Sequence, residues 1–157
     1  MGKIMIAVVG AVAIVVLLFC YAAYGEDAWI ICQPDSFVYI RERPSFHAKV
    51  VASPEAGDKV ETTGRRSGDW ISVSYFCEAG GGWVYAAYLT DTEPELYPDG
   101  IAAETDRGKV RARKYANGPV RKMLEKGTRV LVYAVSCDWA VTNLGYISTQ
   151  CLLFDGG

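Results

Sequence analysis

The sequence predicts an all-β fold, with two small barrels in tandem preceded by one N-terminal hydrophobic helix. An internal repeat is the first reason, because Arg41 and Gly57 recur 70 positions later as Arg111 and Gly127. The second is that short runs of β-branched and aromatic residues alternate with glycines and prolines, which is typical of small β-domains. The third is an uncharged apolar run at the N-terminus, in residues 4–24.

The repeat covers most of the chain that follows the apolar run. Trp70 recurs as Trp139 after 69 positions, whereas Trp83 corresponds to Tyr146 after only 63. The register is therefore kept through the first part of the unit and is then shortened by about seven residues. Most of the shortening falls on residues 76–81, where a glycine-containing hairpin loop is expected to vary in length. A constant period whose loss is confined to a turn indicates a duplicated structural unit.

The pattern places the first unit at residues 29–90, a linker at 91–100 and the second unit at 101–154. Within the first unit, Ile71 and Val73 alternate with serines, as expected of a strand with one buried face. The linker contains two prolines and four acidic residues. We therefore expect two separately folded units that a protease could divide there, although units of about 60 residues are close to the lower limit for independent folding.

Residues 1–25 are predicted to be a signal peptide or a transmembrane anchor. Lys3 precedes the uncharged residues 4–24, and Glu26 and Asp27 follow them. A helix of roughly 20 apolar residues is long enough to span a bilayer, and the small residues near its end also suit a signal peptidase. Both alternatives place Lys3 on the cytoplasmic side of the membrane. The rest of the chain is thus expected to be extracytoplasmic, either secreted or anchored to the cytoplasmic membrane with its C-terminal part outside.

Charge is distributed unevenly between the two halves of the predicted extracytoplasmic part. Residues 26–97 contain 12 acidic and 6 basic side chains, whereas residues 98–157 contain 6 acidic and 9 basic side chains. The two halves should therefore present different surfaces to a partner. Neither is overwhelmingly basic, so we do not expect nucleic acid to be a partner.

The motifs of both units resemble those of bacterial SH3-like (SH3b) domains, which are small barrels found outside bacterial cells. The usual outline of that family is hydrophobic-Arg-x-x-Pro-Ser, Gly-x-x-Val, Gly/Asp-Trp, and Gly-Trp-Val followed by a final Leu. The first unit matches this outline at Ile40-Arg41, Pro44-Ser45, Gly57, Val60, Asp69-Trp70, Gly82-Trp83-Val84 and Leu89. The second unit lacks Pro-Ser and has Tyr146-Ile147 for Trp-Val, but it matches at Val110-Arg111, Gly127, Val130, Asp138-Trp139, Gly145 and Leu152.

The resemblance implies a non-catalytic binding module directed to the bacterial cell wall, with peptidoglycan or its stem peptides as ligand. The alternative is a protein–protein interaction subunit of a surface or envelope assembly, since one fold serves many functions. A groove lined by aromatic rings and an arginine is expected in each unit, because rings supply contact area and arginine can hold a carboxylate. The expected ligand-binding residues are Arg41, Trp70, Trp83 and Tyr85 in the first unit, and Arg111, Trp139 and Tyr146 in the second.

Each of these assignments has a structural alternative. Trp70 and Trp139 could be partly buried strand residues that close the barrels, and Arg41 and Arg111 could hold a loop through backbone carbonyls. The first unit is the better binding candidate, because it keeps the larger aromatic surface of Trp83.

Four cysteines follow the apolar run, two in each unit, and outside the cytoplasm an even number favours disulfides. The pairing that keeps the bridges within the units is Cys32–Cys77 and Cys137–Cys151. Free buried thiols are the alternative. Zinc is disfavoured because there is no CxxC pair and His47 is the only histidine.

No motif in the sequence predicts catalysis. His47 follows a Pro-Ser turn and is expected to be an exposed loop residue. Acidic residues occur in pairs, but none is framed by a pocket-forming pattern. The glycines of Gly80-Gly81-Gly82 lead into a strand without a lysine or a helix, unlike a nucleotide-binding loop. We therefore expect no enzyme activity, no cofactor and no metal site.

Overall fold

The computed structural model describes residues 25–34, 36–74 and 81–155. The all-β prediction is confirmed, because these residues form two antiparallel sheets of seven strands each. The predicted N-terminal helix falls on residues 1–24, which lie outside the described residues. Within the described part of the chain, no helix is long and apolar enough to cross a membrane.

The first sheet belongs to residues 27–90, which we call unit one. Its strands are β1 (Asp27–Ile30), β2 (Ile40–Arg41), β3 (Val50–Ala52), β4 (Lys59–Ser67), β5 (Trp70–Ser74), β6 (Gly82–Tyr85) and β7 (Leu89–Thr90). From one edge of the sheet to the other they are ordered β3-β2-β6-β5-β4-β1-β7. A single turn of 3-10 helix, Ala86–Tyr88, connects β6 to β7.

The second sheet belongs to residues 95–154, which we call unit two. Its strands are β8 (Glu95–Thr105), β9 (Val110–Arg113), β10 (Val120–Leu124), β11 (Arg129–Ser136), β12 (Trp139–Thr142), β13 (Gly145–Ser148) and β14 (Leu152–Phe154). A 3-10 turn, Thr149–Cys151, again precedes the last strand of the chain, β14. The order of the strands in the sheet, β10-β9-β13-β12-β11-β8-β14, repeats that of unit one position by position. The repeat in the sequence is therefore a repeat in topology.

The strands alternate between buried and exposed positions, as expected of sheets that cover a core on one face. Along β11, Val130 and Val132 are buried in the core of unit two whereas Arg129 and Leu131 are exposed. This period of two separates the core face of each unit from its outer face.

Each sheet curls around its own core. In unit one, Ile40 and Val84 are buried in the centre of the cluster. Val51 on the terminal strand β3 and Leu89 on the opposite terminal strand β7 pack against that same cluster. The two ends of the sheet therefore approach each other around one core.

The same glycine turn precedes the long central strand of each unit. Gly57 has φ +90° and Gly127 has φ +76°. Such backbone angles strain most residues with a side chain but not glycine. The Gly-x-x-Val motif found twice in the sequence is thus the turn into β4 and into β11.

The structure corrects the equivalence of the arginines in the two copies. Arg41 on β2 pairs with Trp83, and Arg113 on β9 pairs with Tyr146. Because Trp83 and Tyr146 are equivalent residues, Arg113 is the counterpart of Arg41. The predicted counterpart, Arg111, is two residues out of register.

The second unit also starts earlier than predicted. β8 begins at Glu95, inside the predicted linker of residues 91–100, and its first residues already pair with β11. Only residues 91–94 therefore connect the two sheets.

The two units share an interface that the sequence did not predict. Gln33 Nε2 of unit one donates to the carbonyl oxygen of Thr142 in unit two at 2.6 Å, and the hydroxyls of Thr90 and Ser136 share a hydrogen bond of 2.7 Å. The centre of the interface is apolar. Its buried residues, which we call the interface cluster, are Ile31, Ala134, Val141 and Tyr146.

The predicted Cys137–Cys151 disulfide is wrong, because both thiols are free. Cys137 is exposed and its Sγ lies 3.3 Å from Thr92 Oγ1, whereas Cys151 packs against the core of unit two. Cys32 is a free buried thiol as well, and burial raises its pKa. Its predicted partner, Cys77, lies outside the described residues.

Candidate ligand-binding face

The four residues predicted to bind ligand in unit one lie on the outer face of its sheet. Trp70 pairs across the strands with Tyr85, and Arg41 pairs with Trp83. Directly paired side chains share a face, and the residues between them along a strand point the other way. Accordingly Val84, between the two β6 aromatics, is fully buried in the core.

A loop brings a further aromatic ring onto this face. The ring centroid of Phe46 lies 4.8 Å from that of Trp70 and 5.2 Å from that of Tyr85, while the Trp70 and Tyr85 rings are 5.6 Å apart. Tilted and edge-to-face arrangements at such distances are favourable. We call Phe46, Trp70, Trp83 and Tyr85 the aromatic face of unit one.

The members of the aromatic face differ in exposure. Trp70 is only 8% exposed, because the rings of Phe46 and Tyr85 pack on it. Phe46 is 59% exposed. Trp83 and Tyr85 are half-buried. A ligand would therefore contact Phe46, Trp83 and Tyr85, with Trp70 beneath them.

Arg41 holds the loop that carries Phe46. Its Nη1 donates to the carbonyl oxygen of Ala48 at 2.6 Å, and its guanidinium lies 5.2 Å from the ring centroid of Tyr39. The geometry therefore shows Arg41 holding a loop through a backbone carbonyl, which was the structural alternative to ligand binding. A different arginine, Arg65, covers Trp83, with its guanidinium 5.3 Å from the ring centroid.

Unit two contributes to the border of the aromatic face. The ring of Tyr115 lies 6.0 Å from that of Tyr85, and the Tyr85 hydroxyl donates to Asp69 Oδ2 at 3.3 Å. Hydrogen bonding with Tyr115, burial and the charge of Asp69 raise the pKa of Tyr85 to about 12. Its hydroxyl is therefore protonated at neutral pH, with its proton donated to Asp69.

In unit two the part of the equivalent face around Tyr146 is closed by unit one. Tyr146, the counterpart of Trp83, is 1% exposed, and its hydroxyl donates to the carbonyl oxygen of Ile31 at 2.9 Å. The prediction that Tyr146 contacts a ligand is corrected accordingly, because its side chain belongs to the interface cluster.

The other predicted residues of unit two are accessible. Arg111 is exposed and Trp139 is half-buried, and both line a small cleft on the outer face. Arg113, which was not predicted from the sequence, holds a loop in the same way as Arg41. Its Nη1 donates to the carbonyl oxygen of Gly118 at 2.6 Å. The Arg-x-Arg spacing contained both residues, but only the strand pairing distinguishes them.

Three residues of the aromatic face and its border were missed from the sequence. Phe46 and Arg65 stand on a loop and on an irregular part of β4, and Tyr115 comes from the other unit. Phe46 was detectable in principle, since it is a large aromatic residue in a polar loop. His47, next to it, is exposed as predicted. Among the described residues, no three His, Cys, Asp or Glu side chains form a group that could hold a metal ion.

Comparison with known proteins gives a weak likeness of fold. No protein-family model and no curated protein matches the chain. Among solved structures, it is similar to NlpC1 from Trichomonas vaginalis (TM-score 0.34, 12% identity, covering 83% of this chain and 46% of that chain). It is also similar to NlpC2 from the same organism (TM-score 0.35, 11% identity, 85% and 49%). The chain spans about half the length of each. Scores this low establish no family and carry no functional argument.

Proposed function

We propose that the chain is a non-catalytic binding module that works outside the cytoplasm on the bacterial cell wall, with peptidoglycan or its stem peptides as ligand. The observation that supports this proposal best is the aromatic face of unit one. Phe46 stays 59% exposed although it packs on Trp70 and Tyr85. Contiguous exposed apolar groups on a small domain usually mark a binding surface.

The chemistry of this face suits an extended peptide. The rings of Phe46, Trp83 and Tyr85 offer contact area with little conformational entropy to lose. Polar groups stand beside them: the guanidinium of Arg65 over Trp83 and the protonated hydroxyl of Tyr85. An arginine can pair with a peptide carboxylate, and the phenol oxygen of Tyr85, whose proton is donated to Asp69, can accept from a peptide N–H.

The extracytoplasmic location in this proposal rests on the sequence of residues 1–25. Their apolar run, followed at once by two acids, supports either a cleaved signal or an anchor in the cytoplasmic membrane. A wall ligand would be accessible from both arrangements.

A second candidate function is a protein–protein interaction subunit of an envelope assembly. It is favoured by another exposed aromatic pair, Phe37 (74% exposed) and Tyr39 (39% exposed), whose rings stack at 6.3 Å. This pair lies on the chain just before β2, and a protein partner could cover it.

The first prediction tests the wall proposal by pelleting the full-length chain with purified wall sacculi. Wild-type protein should pellet saturably. Trp83→Ala should weaken the binding free energy by about 1–3 kcal/mol, the usual loss for an aromatic anchor. Phe154→Ala is the matched control, because Phe154 is 36% exposed on β14, outside the aromatic face. Absence of saturable pelleting, or equal losses in both variants, would move the assignment to the second candidate.

A further inference from the structure

A cleft of about 250 Å³ lies on the outer face of unit two, where cationic side chains surround an aromatic ring. Trp139 forms part of its wall, next to Ser148 and Cys151. The basic side chains that line it are Arg107, Lys109, Arg111 and Arg113. No acidic residue is among the residues that line this cleft.

Comparison of the two units explains why this cleft is open. Trp139 is the counterpart of Trp70, and the pairing partners of these two residues are Ser148 and Tyr85. A small serine therefore stands where unit one has the large Tyr85 ring. By the same 63-residue step, Cys151 replaces Tyr88. Removal of two rings leaves space over Trp139 that the aromatic face of unit one does not have.

The same comparison shows a change of charge. With Arg113 equivalent to Arg41, Lys109 stands four residues earlier, at the position of Phe37, and Arg111 stands two residues earlier, at the position of Tyr39. The aromatic pair just before β2 therefore corresponds to two cationic residues, Lys109 just before β9 and Arg111 on it. The two units therefore offer different chemistry at equivalent places on their surfaces.

Most of the positive charge of the cleft has no counter-charge. Arg107 is neutralised by Asp106, which accepts hydrogen bonds of 2.7 and 2.6 Å from it. Lys109, Arg111 and Arg113 form no ion pair with any other residue that the structure describes. Like charges converging on one cleft repel each other, and a bound anion relieves that repulsion.

We propose that this cleft binds an oxyanion, a carboxylate or a phosphate, carried by an organic ligand. Lys109 and Arg111 hold the anionic group, with Arg113 adding its charge from the side, and the attached apolar part of the ligand packs on Trp139. Arginine suits this role because its planar fork matches the two oxygens of either anion. The proposal adds a second, chemically distinct site to the module and does not depend on the aromatic face of unit one.

The test is titration of the full-length chain, in a neutral detergent, followed through the indole N–H resonance of Trp139. Three probes distinguish the chemistry: N-acetyl-alanyl-alanine, the same dipeptide as its C-terminal amide, and glycerol phosphate. We expect a saturable shift with the free acid, with glycerol phosphate, or with both, and none with the amide. The probe that saturates at the lower concentration identifies the source of the anion.

Two variants and one control locate the site. Arg111→Gln should weaken binding by about tenfold or more, the usual effect of losing a hydrogen bond to a charged group. Lys109→Asn should weaken it too, and asparagine tolerates the positive φ of this residue, +61°. Arg129→Gln removes an exposed arginine that does not line the cleft and should leave binding unchanged. The proposal is overturned if the amide binds as well as the acid, or if neither anion gives a saturable shift. It is also overturned if Arg129→Gln weakens binding as much as Arg111→Gln does. Sacculus binding by Trp83→Ala is a separate readout, so the two proposals can fail independently.

Discussion

Tyr146 and Trp83 occupy the same position in the repeat, yet their side chains have different surroundings. Trp83 is half-buried under Arg65, on a face open to solvent. Tyr146 is covered by the segment around Ile31 and donates to its backbone carbonyl. Residue type does not separate the two cases, because both aromatic residues could line a groove. The difference is the part of the chain that lies over each ring.

The second prediction concerns the hydroxyl of Tyr146. Tyr146→Phe should lower the free energy of unfolding by about 1–2 kcal/mol, because the carbonyl of Ile31 loses its partner inside the interface cluster. Urea unfolding of the full-length chain measures this difference. Tyr39→Phe is the matched control, since it removes a hydroxyl from a side chain that is 39% exposed, and it should change stability by much less.

The pH dependence of that difference provides a further check. Burial, with the nearby Cys32 and Tyr88, raises the pKa of Tyr146. Its stabilising contribution should therefore be complete below the ordinary tyrosine pKa of about 10 and be lost at higher pH, where the unfolded chain ionises and the folded chain does not. The difference between wild type and Tyr146→Phe should shrink above that pH. A difference that stays constant there would mean that the phenol is not buried.

Among the structural elements, the strands after the two glycine motifs were predictable, but their pairing was not. The repeat located β6 and β13 through Gly82 and Gly145, and both glycines approach the arginine strand closely. A Cβ on Gly82 would lie 2.7 Å from the carbonyl oxygen of Arg41, and one on Gly145 would lie 2.4 Å from that of Arg113. This shared contact fixes the register between β2 and β6 and between β9 and β13. The 70-residue spacing of the sequence repeat gives no information about it.

Loop length explains why the sequence comparison chose Arg111. Nine positions separate Arg41 from its partner Val50, whereas seven separate Arg113 from its partner Val120. The loop between β9 and β10 is two residues shorter than the loop between β2 and β3. The shorter loop shifts β9 by two residues relative to the 70-residue repeat and leaves β10 at the expected spacing. Hydrophobic periodicity identifies such strands but carries no information about the length of the loop between them.

The third prediction tests the close approach at Gly145. Gly145→Ala should destabilise the fold by more than about 3 kcal/mol, because its φ is +128° and the new Cβ would meet a backbone oxygen. Gly68→Ala is the matched control: its φ is also positive, +57°, but nothing lies within 4 Å of the added Cβ. Thermal unfolding should show a much smaller loss for this control. Equal losses would mean that backbone angle alone, and not the strand contact, requires glycine.

For the whole molecule, the tandem arrangement was readable from the sequence, whereas the contact between the units was not. Two of the hydrogen bonds that join them link residues 109 and 115 positions apart, Gln33 with Thr142 and Ile31 with Tyr146. No local pattern marks such partners. The acidic, proline-containing residues 91–100 instead suggested a free linker, because composition does not show that β8 begins at Glu95.

The fourth prediction follows from this interface. Limited proteolysis of the full-length chain should leave one resistant core that contains both units, because the apolar interface cluster and its hydrogen bonds hold them together after cleavage within residues 91–94. Ile31→Asp should convert this core into separate fragments, since it places an unpaired charge at a site that is 4% exposed. Phe37→Asp is the matched control at a side chain that is 74% exposed, and its digestion should match the wild type. Two separate fragments from the wild-type chain would mean that the units do not hold this contact in solution, and that the face around Tyr146 is open to a ligand after all.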